Sequence, residues 1–276
     1  MKFGFVLPLG DAKKASEIAI EAEKSGWDGF FVWEPVWGID AWIQLTAAAM
    51  VTTKIKLGTI LSPVSRMRPW KLASETATLD NLSNGRVILS VGLGAVDTGF
   101  TEFGEETNKM KRAQLLDEGL DIITGLWNGQ PFNYNGKHYT IKETEFFPPP
   151  PPVQKPRIPI WVVGAWPRNK SMRRVLKYDG ILPDKMVGGK HVKVIPDDIQ
   201  DMIAWIDDRR RVSTPFDVVI EGETKSESID EWSSIVSPWA DAGATWWLES
   251  MWGYMREATA EAMFLERVRL GPPSTN

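Results

Sequence analysis

FGFVLPLGDAKKASEIAIEAEKSGWDGFFVW, residues 3–33, holds one complete strand, helix and strand in succession. Phe3 to Leu7 is a short apolar run closed by Pro8 and Gly10. From about Ala12, the residues Ala15, Ile18, Ala19 and Ala22 fall at the i, i+3, i+4, i+7 spacing of one helix face, and Gly26 stands where a glycine ends a helix. Gly29 to Trp33 then opens the next strand. Outward from this unit the pattern repeats. Strands are expected at Ile55–Ile60, Arg86–Val91, Ile158–Val163, Asp179–Leu182, Asp217–Ile220 and Ala244–Leu248. Helices are expected at Asp40–Thr52, Trp70–Leu82 and Lys109–Trp127, from about Arg168, from about Asp197 behind Pro196, at Asp230–Ala240 and at Met255–Arg269. Eight such pairs with no linker between them predict a single-domain (β/α)8 TIM barrel over residues 1–276, close to the usual size of about 250 residues. A doubly wound sheet would carry Gly-x-Gly-x-x-Gly at its first turn, where this chain has only Gly10. Phe132 to Ile141, with the turn pair Asn135-Gly136, predicts a small hairpin; Pro148 to Pro152 predicts a polyproline connector, and Gly188-Gly189 a mobile loop.

Composition narrows the function. A net charge of -4 and a pI of about 5.4 oppose a general nucleic-acid binder, which needs a basic stripe. With no cysteine and two histidines there is no disulfide frame, no thiolate nucleophile and no metal set of the Cys or His type. No run approaches about 18 apolar residues, so a cytoplasmic protein without a membrane span is expected. Fourteen tryptophans provide either core mass or a surface that stacks planar ligands.

In a barrel the chemistry lies at the C-terminal ends of the strands. Here those ends carry Trp33-Glu34-Pro35, Ile60-Leu61, Gly92-Leu93-Gly94-Ala95, Gly164-Ala165-Trp166, Pro183-Asp184-Lys185, Glu221-Gly222-Glu223 and Glu249-Ser250. Gly92 and Gly94 suit a backbone cradle for phosphate. The Gly164 turn, with Pro167 and Arg168 at the start of a helix, suits an anion as well. Glu34, Glu221 and Glu249 are candidates for acid and base, as in a glycosidase-like barrel. His138 and His191 read as surface residues.

Several stretches resemble the bacterial luciferase-like family of barrel oxidoreductases. They are Gly26-Trp27-Asp28-Gly29, Lys56-Leu57-Gly58-Thr59, Ala77 to Arg86, Val91-Gly92-Leu93-Gly94, Leu116 to Leu120, Pro150 to Gln154, Pro159 to Val162 and Tyr178-Asp179-Gly180, in order along the chain. The resemblance implies a reduced flavin, FMN, or the deazaflavin F420 held across the barrel mouth, with a small organic molecule as substrate and pairing into a homodimer through helices. It places the ring against Ile60 and Leu61, joined by a non-prolyl cis peptide. It places the phosphate near Gly92, Gly94, Ala95, Gly164, Ala165, Trp166 and Arg168. Glu34 is the catalytic candidate it leaves after the second strand, where many members have an acidic residue followed by histidine and this chain has Glu34-Pro35. The arginine that meets the FMN phosphate after the fourth strand is replaced by Leu93 or its neighbours, which favours F420 or an anion site made of backbone. The implied activity is hydride transfer or monooxygenation; a cofactor-binding protein without turnover is the alternative.

Overall fold

The computed structural model describes residues 1–224 and 229–273. In chain order it contains β1 (Lys2–Leu7), α1 (Ala12–Lys24), β2 (Gly29–Val32), α2 (Ala41–Val51), β3 (Lys56–Thr59), β4 (Ser62–Pro63), α3 (Pro69–Leu82), β5 (Val87–Gly92), α4 (Lys109–Asn128), β6 (Phe132–Asn135) and β7 (Thr140–Thr144). There follow β8 (Ile160–Trp166), α5 (Asn169–Val175), β9 (Gly180–Val187), β10 (Lys190–Val192), α6 (Pro196–Arg209), β11 (Asp217–Gly222), α7 (Ile229–Asp241), β12 (Trp246–Ser250) and α8 (Ala260–Arg269). β1 pairs in parallel with β2 and with β12. The ring runs β1, β2, β3 with β4, β5, β8, β9, β11, β12 and closes on itself. This is the (β/α)8 barrel that the alternation predicts.

The helices start where short polar side chains cap them. Asp11 accepts from the Lys14 amide at 2.9 Å, Asp40 from that of Ile43 at 2.9 Å, and Asn108 from that of Lys111 at 3.0 Å. The buried face of α1 is Ala15, Ile18, Ala19 and Ala22, the set read from the spacing.

The non-prolyl cis Ile60–Leu61 peptide that the resemblance implies is present; it divides the third strand, after which Ser62 and Pro63 pair again with Val91 and Gly92. Three details differ from the sequence reading. The sixth strand does not stop at Leu182. It continues to Val187 and folds back as antiparallel β10, so Gly188-Gly189 is a hairpin turn; their φ values of 58° and 86° are what a two-residue turn between twisted strands requires. The last helix begins at Ala260 rather than near Met255. His138 is half-buried, its Nε2 2.9 Å from Gln114 Oε1, while His191 is exposed. The proline connector is tied to the barrel wall: the Asn81 amide donates to the carbonyls of Pro150 and Pro151, and the Gln154 amide to Asp80 at 2.7 Å.

Inside the ring the lower layer is aromatic. Phe31 stacks on Trp161 with centroids 5.5 Å apart, and Trp246 meets both edge-on at 6.0 and 5.3 Å. These rings fit because neighbouring strands present glycine. At Gly58 a Cβ would lie 2.7 Å from the Ile88 carbonyl oxygen and 2.8 Å from Phe31. Because one of those atoms is backbone, little can yield, and Gly58→Ala is expected to destabilise the fold by about 1–3 kcal/mol. A urea midpoint lowered at constant slope would register it; an unchanged midpoint would mean that the layer is loosely packed.

Candidate active site at the barrel mouth

Val6, Ile60, Ile88, Leu182, Val219 and Leu248, one apolar residue from each of six strands or strand ends, pack with the aromatic rings in one inner layer. Over this layer opens a cavity of about 380 Å³. Ile60, Leu61, Val163, Leu182, Val219, Ile220 and Trp239 give it apolar walls, and Asp184, Lys193 and Glu221 supply its charge. Gly92 is buried behind this wall with no room for a side chain, since a Cβ would lie 2.8 Å from Leu61 and 2.9 Å from Val163. The cis bond thus stands at the cavity, with Ile60 below it and Leu61 in its wall.

Glu34 leaves β2 and turns toward the chain that follows this bond. Ser62 Oγ lies 2.5 Å from Glu34 Oε2 and 3.0 Å from Thr59 Oγ1, and Arg66 Nη2 donates to the carbonyls of Glu34 and Pro35 at 2.9 and 2.7 Å. Burial pushes the Glu34 carboxyl up to about 7, against the Ser62 hydrogen bond and the Arg66 charge, which pull it down. It is a group that changes charge near neutrality, one hydrogen bond from the backbone of the cavity wall.

The remaining sequence candidates fall into three places. Leu93 and Gly94 turn their carbonyls to Arg112, which donates at 2.8 and 3.0 Å, while Ala95 continues into an exposed loop. Gly164 backs onto the helical layer, since a Cβ there would meet Ile181 at 2.5 Å and Val175 at 3.1 Å. Ala165 follows it, with its amide held by Ser171 Oγ at 3.0 Å. Trp166 packs edge-on against Trp205 of α6 with centroids 6.3 Å apart. Arg168 is exposed ahead of α5, which is only seven residues long.

The three glutamates separate. Glu221 accepts from Trp252 Nε1 at the cavity, and Trp252 lies edge-on to Trp33 at 6.1 Å. Glu249, by contrast, is fully buried and points out of the barrel, where it accepts from the Thr224 amide at 2.8 Å and Trp247 Nε1 at 3.0 Å and pairs with Arg267 at 3.4 Å. It is a structural anchor and not a rim carboxylate, which removes it from any acid and base pair. Sequence reading missed Ser62 as the partner of Glu34, and it missed Lys193, which lines the cavity just after the β9–β10 hairpin on which His191 meets Asp184. Among the described residues no group of three or more His, Asp or Glu is arranged to hold a metal ion, and no helix is long and apolar enough to cross a membrane.

Known proteins resemble this chain in sequence and in fold. F420-dependent glucose-6-phosphate dehydrogenase of Amycolatopsis mediterranei is 29% identical over 199 residues, which are 68% of this chain and 57% of that protein. The chain spans about half the length of the curated relatives it matches. An F420-dependent secondary alcohol dehydrogenase, solved with an F420–acetone adduct, superposes with a TM-score of 0.74 at 16% identity over 97% of this chain and 98% of that one. The coenzyme F420-dependent tetrahydromethanopterin reductase of Methanopyrus kandleri superposes with a TM-score of 0.67 at 22% identity over 85% and 72%. At such identities the superpositions speak for the barrel, and the sequence speaks for the lineage. The pattern of the luciferase-like monooxygenases runs through residues 1–228, from β1 past the end of β11, and this chain belongs to that family.

Proposed function

We propose that the chain is a single-domain oxidoreductase that holds F420, in preference to FMN, across the barrel mouth and acts by hydride transfer on a small organic substrate. The observation that carries this reading is the cavity over the cis Ile60–Leu61 bond, with apolar walls and a volume of about 380 Å³. Its residues fit a flat, fused ring: Ile60, Leu61 and Val163 offer hydrocarbon faces, and the bare Gly92 behind them leaves room for the Leu61 and Val163 side chains. The phosphate-bearing arm is assigned to the turns at Gly92, Gly94 and Ala95 and at Gly164, Ala165 and Trp166, with Arg168 at the exposed edge. Preference for F420 rests on the first turn, whose nearest guanidinium, Arg112, already donates to its carbonyls and so faces its inner side.

Bound F420 supplies a carbon that accepts or returns a hydride; everything else falls to the protein. Trp33, Trp239 and Trp252 shield the mouth from water, which strengthens the electrostatic interactions inside it. Glu34 acts as a positioning residue through the Ser62 hydroxyl, holding the segment that follows the cis bond. Titration of the purified protein with F420 and with FMN, followed by absorbance and tryptophan fluorescence, is expected to give micromolar or tighter binding of F420. FMN should bind more weakly by about tenfold or more, equivalent to about 1.4 kcal/mol. Binding of neither would overturn the assignment, and tighter binding of FMN would reverse the preference.

A further inference from the structure

β9 and β10 form an antiparallel ladder in which His191 stands opposite Met186. Residues opposite one another in such a ladder share a face, and positions two apart along a strand share it too. His191 therefore lies on the face that carries Met186, Asp184 and Lys193. That face looks into the barrel: Leu182, of the same parity, belongs to the inner apolar layer, and Asp184 and Lys193 both line the cavity. Lys185, on the opposite face, points away and pairs with Asp198 of α6 at 2.6 Å. The imidazole of His191 is 66% exposed, and its Nδ1 lies 2.8 Å from Asp184 Oδ1. A carboxylate at that nitrogen retains the Nδ1–H tautomer, sets the ring plane and leaves Nε2 as an open acceptor. The other charges at the cavity are Lys193, just past β10, and Glu221, itself engaged by Trp252.

We propose that His191, oriented by Asp184, is the proton-exchanging group of the mouth and takes a proton at Nε2 when an anionic ligand enters the cavity. The inference rests on the cofactor reading above. It also fills a gap in that reading, because the position after the second strand is Pro35 and the Glu34 carboxylate is turned to Ser62. When a reduced deazaflavin gives its hydride to a carbonyl carbon, the oxygen must take up a proton, and the His191 Nε2–H gained on ligand entry is the donor assigned here, with Asp184 remaining a carboxylate beside the imidazole that is left.

Because the chain has two histidines, ¹⁵N ring spectra contain two sets of signals, and His138 on the β6–β7 hairpin serves as internal reference. In the free protein near neutral pH, the neutral form of His191 is expected as the Nδ1–H tautomer, and Asp184→Asn should abolish that preference. Addition of F420 should shift the His191 signals and leave those of His138 in place. Calorimetry of F420 binding in buffers of different ionisation enthalpy should show net proton uptake by the wild type and none by His191→Gln, whose affinity at the same pH should be the lower of the two. Equal proton uptake in His191→Gln, or an Nε2–H tautomer in the free wild type, would overturn the proposal. Failure of F420 to bind the wild type would overturn the cofactor reading and with it the proton transfer, while the tautomer in the free protein would still decide whether Asp184 orients the ring.

Discussion

Arg267→Ala is expected to cost about 3–5 kcal/mol of stability, because it leaves a carboxylate buried without its cation. Arg267 has 7% of its side chain exposed and lies 3.4 Å from the fully buried Glu249. It also donates to Thr224 Oγ1 at 3.0 Å and to the Gly271 carbonyl at 2.7 Å, and it sits over Trp232 at 3.9 Å and Trp27 at 5.0 Å from the ring centroids. No water can replace this set without opening the layer between β12 and α8. The guanidinium is the only side chain shape that serves a carboxylate, a hydroxyl, a carbonyl and two rings together, so Arg267→Lys should recover only part of the loss. Denaturant midpoints measure the effect. The double variant Arg267→Ala with Glu249→Gln should be less destabilised than the single one, because the orphaned charge is gone. Equal stability of the single and double variants would show that the cost is lost packing rather than uncompensated charge.

Glu34→Gln is expected to act in the opposite direction and only above mildly acidic pH. Burial holds the Glu34 carboxyl near 7 against an ordinary 4.5. Below about 4.5 the group is neutral in folded and unfolded chains alike and makes no difference. Between the two values the folded state binds more protons than the unfolded, so stability falls as pH rises; above about 7 the whole penalty, about 3 kcal/mol, is present. Glutamine cannot ionise and still accepts from Ser62. Urea midpoints at acidic pH should therefore coincide for wild type and variant, and diverge toward pH 8 with the variant the more stable. Parallel curves across the range would show that Glu34 is already an anion in the folded protein at acidic pH. If Glu34 positions the wall through Ser62, the variant should also lose the part of any activity profile that follows ionisation near neutrality.

The barrel is legible in the sequence because each of its units repeats the same two periods, and Ala15, Ile18, Ala19 and Ala22 show the second of them plainly. The mouth is less legible for reasons that are physical. A barrel strand is covered on both sides, so Trp246, Trp247 and Leu248 are all apolar whichever way they point. Nothing in that run reveals that Glu249 shares parity with the outward Trp247 while Ser250 shares it with the inward Leu248. The β9–β10 hairpin was hidden differently. Its strands alternate lysine with Met186, Val187 and Val192, and its turn is two glycines, a composition that an unstructured loop shares. His191 acquires its carboxylate partner only when that turn fixes the register. The resemblance to a family did supply the cis bond at Ile60–Leu61, which no local pattern of side chains marks.

The aromatic layer of Phe31, Trp161 and Trp246 seals the barrel from below. The cavity is accordingly closed on that side, and molecules enter and leave it from the mouth. Two molecules that share it cannot exchange independently: whichever settles against Ile60 and Leu61 first is the last to leave, and the second arrival is its stopper. Order of binding in such a vessel is imposed by architecture rather than by affinity, and a tightly held second ligand prolongs the stay of the first without touching any of the groups that bind it.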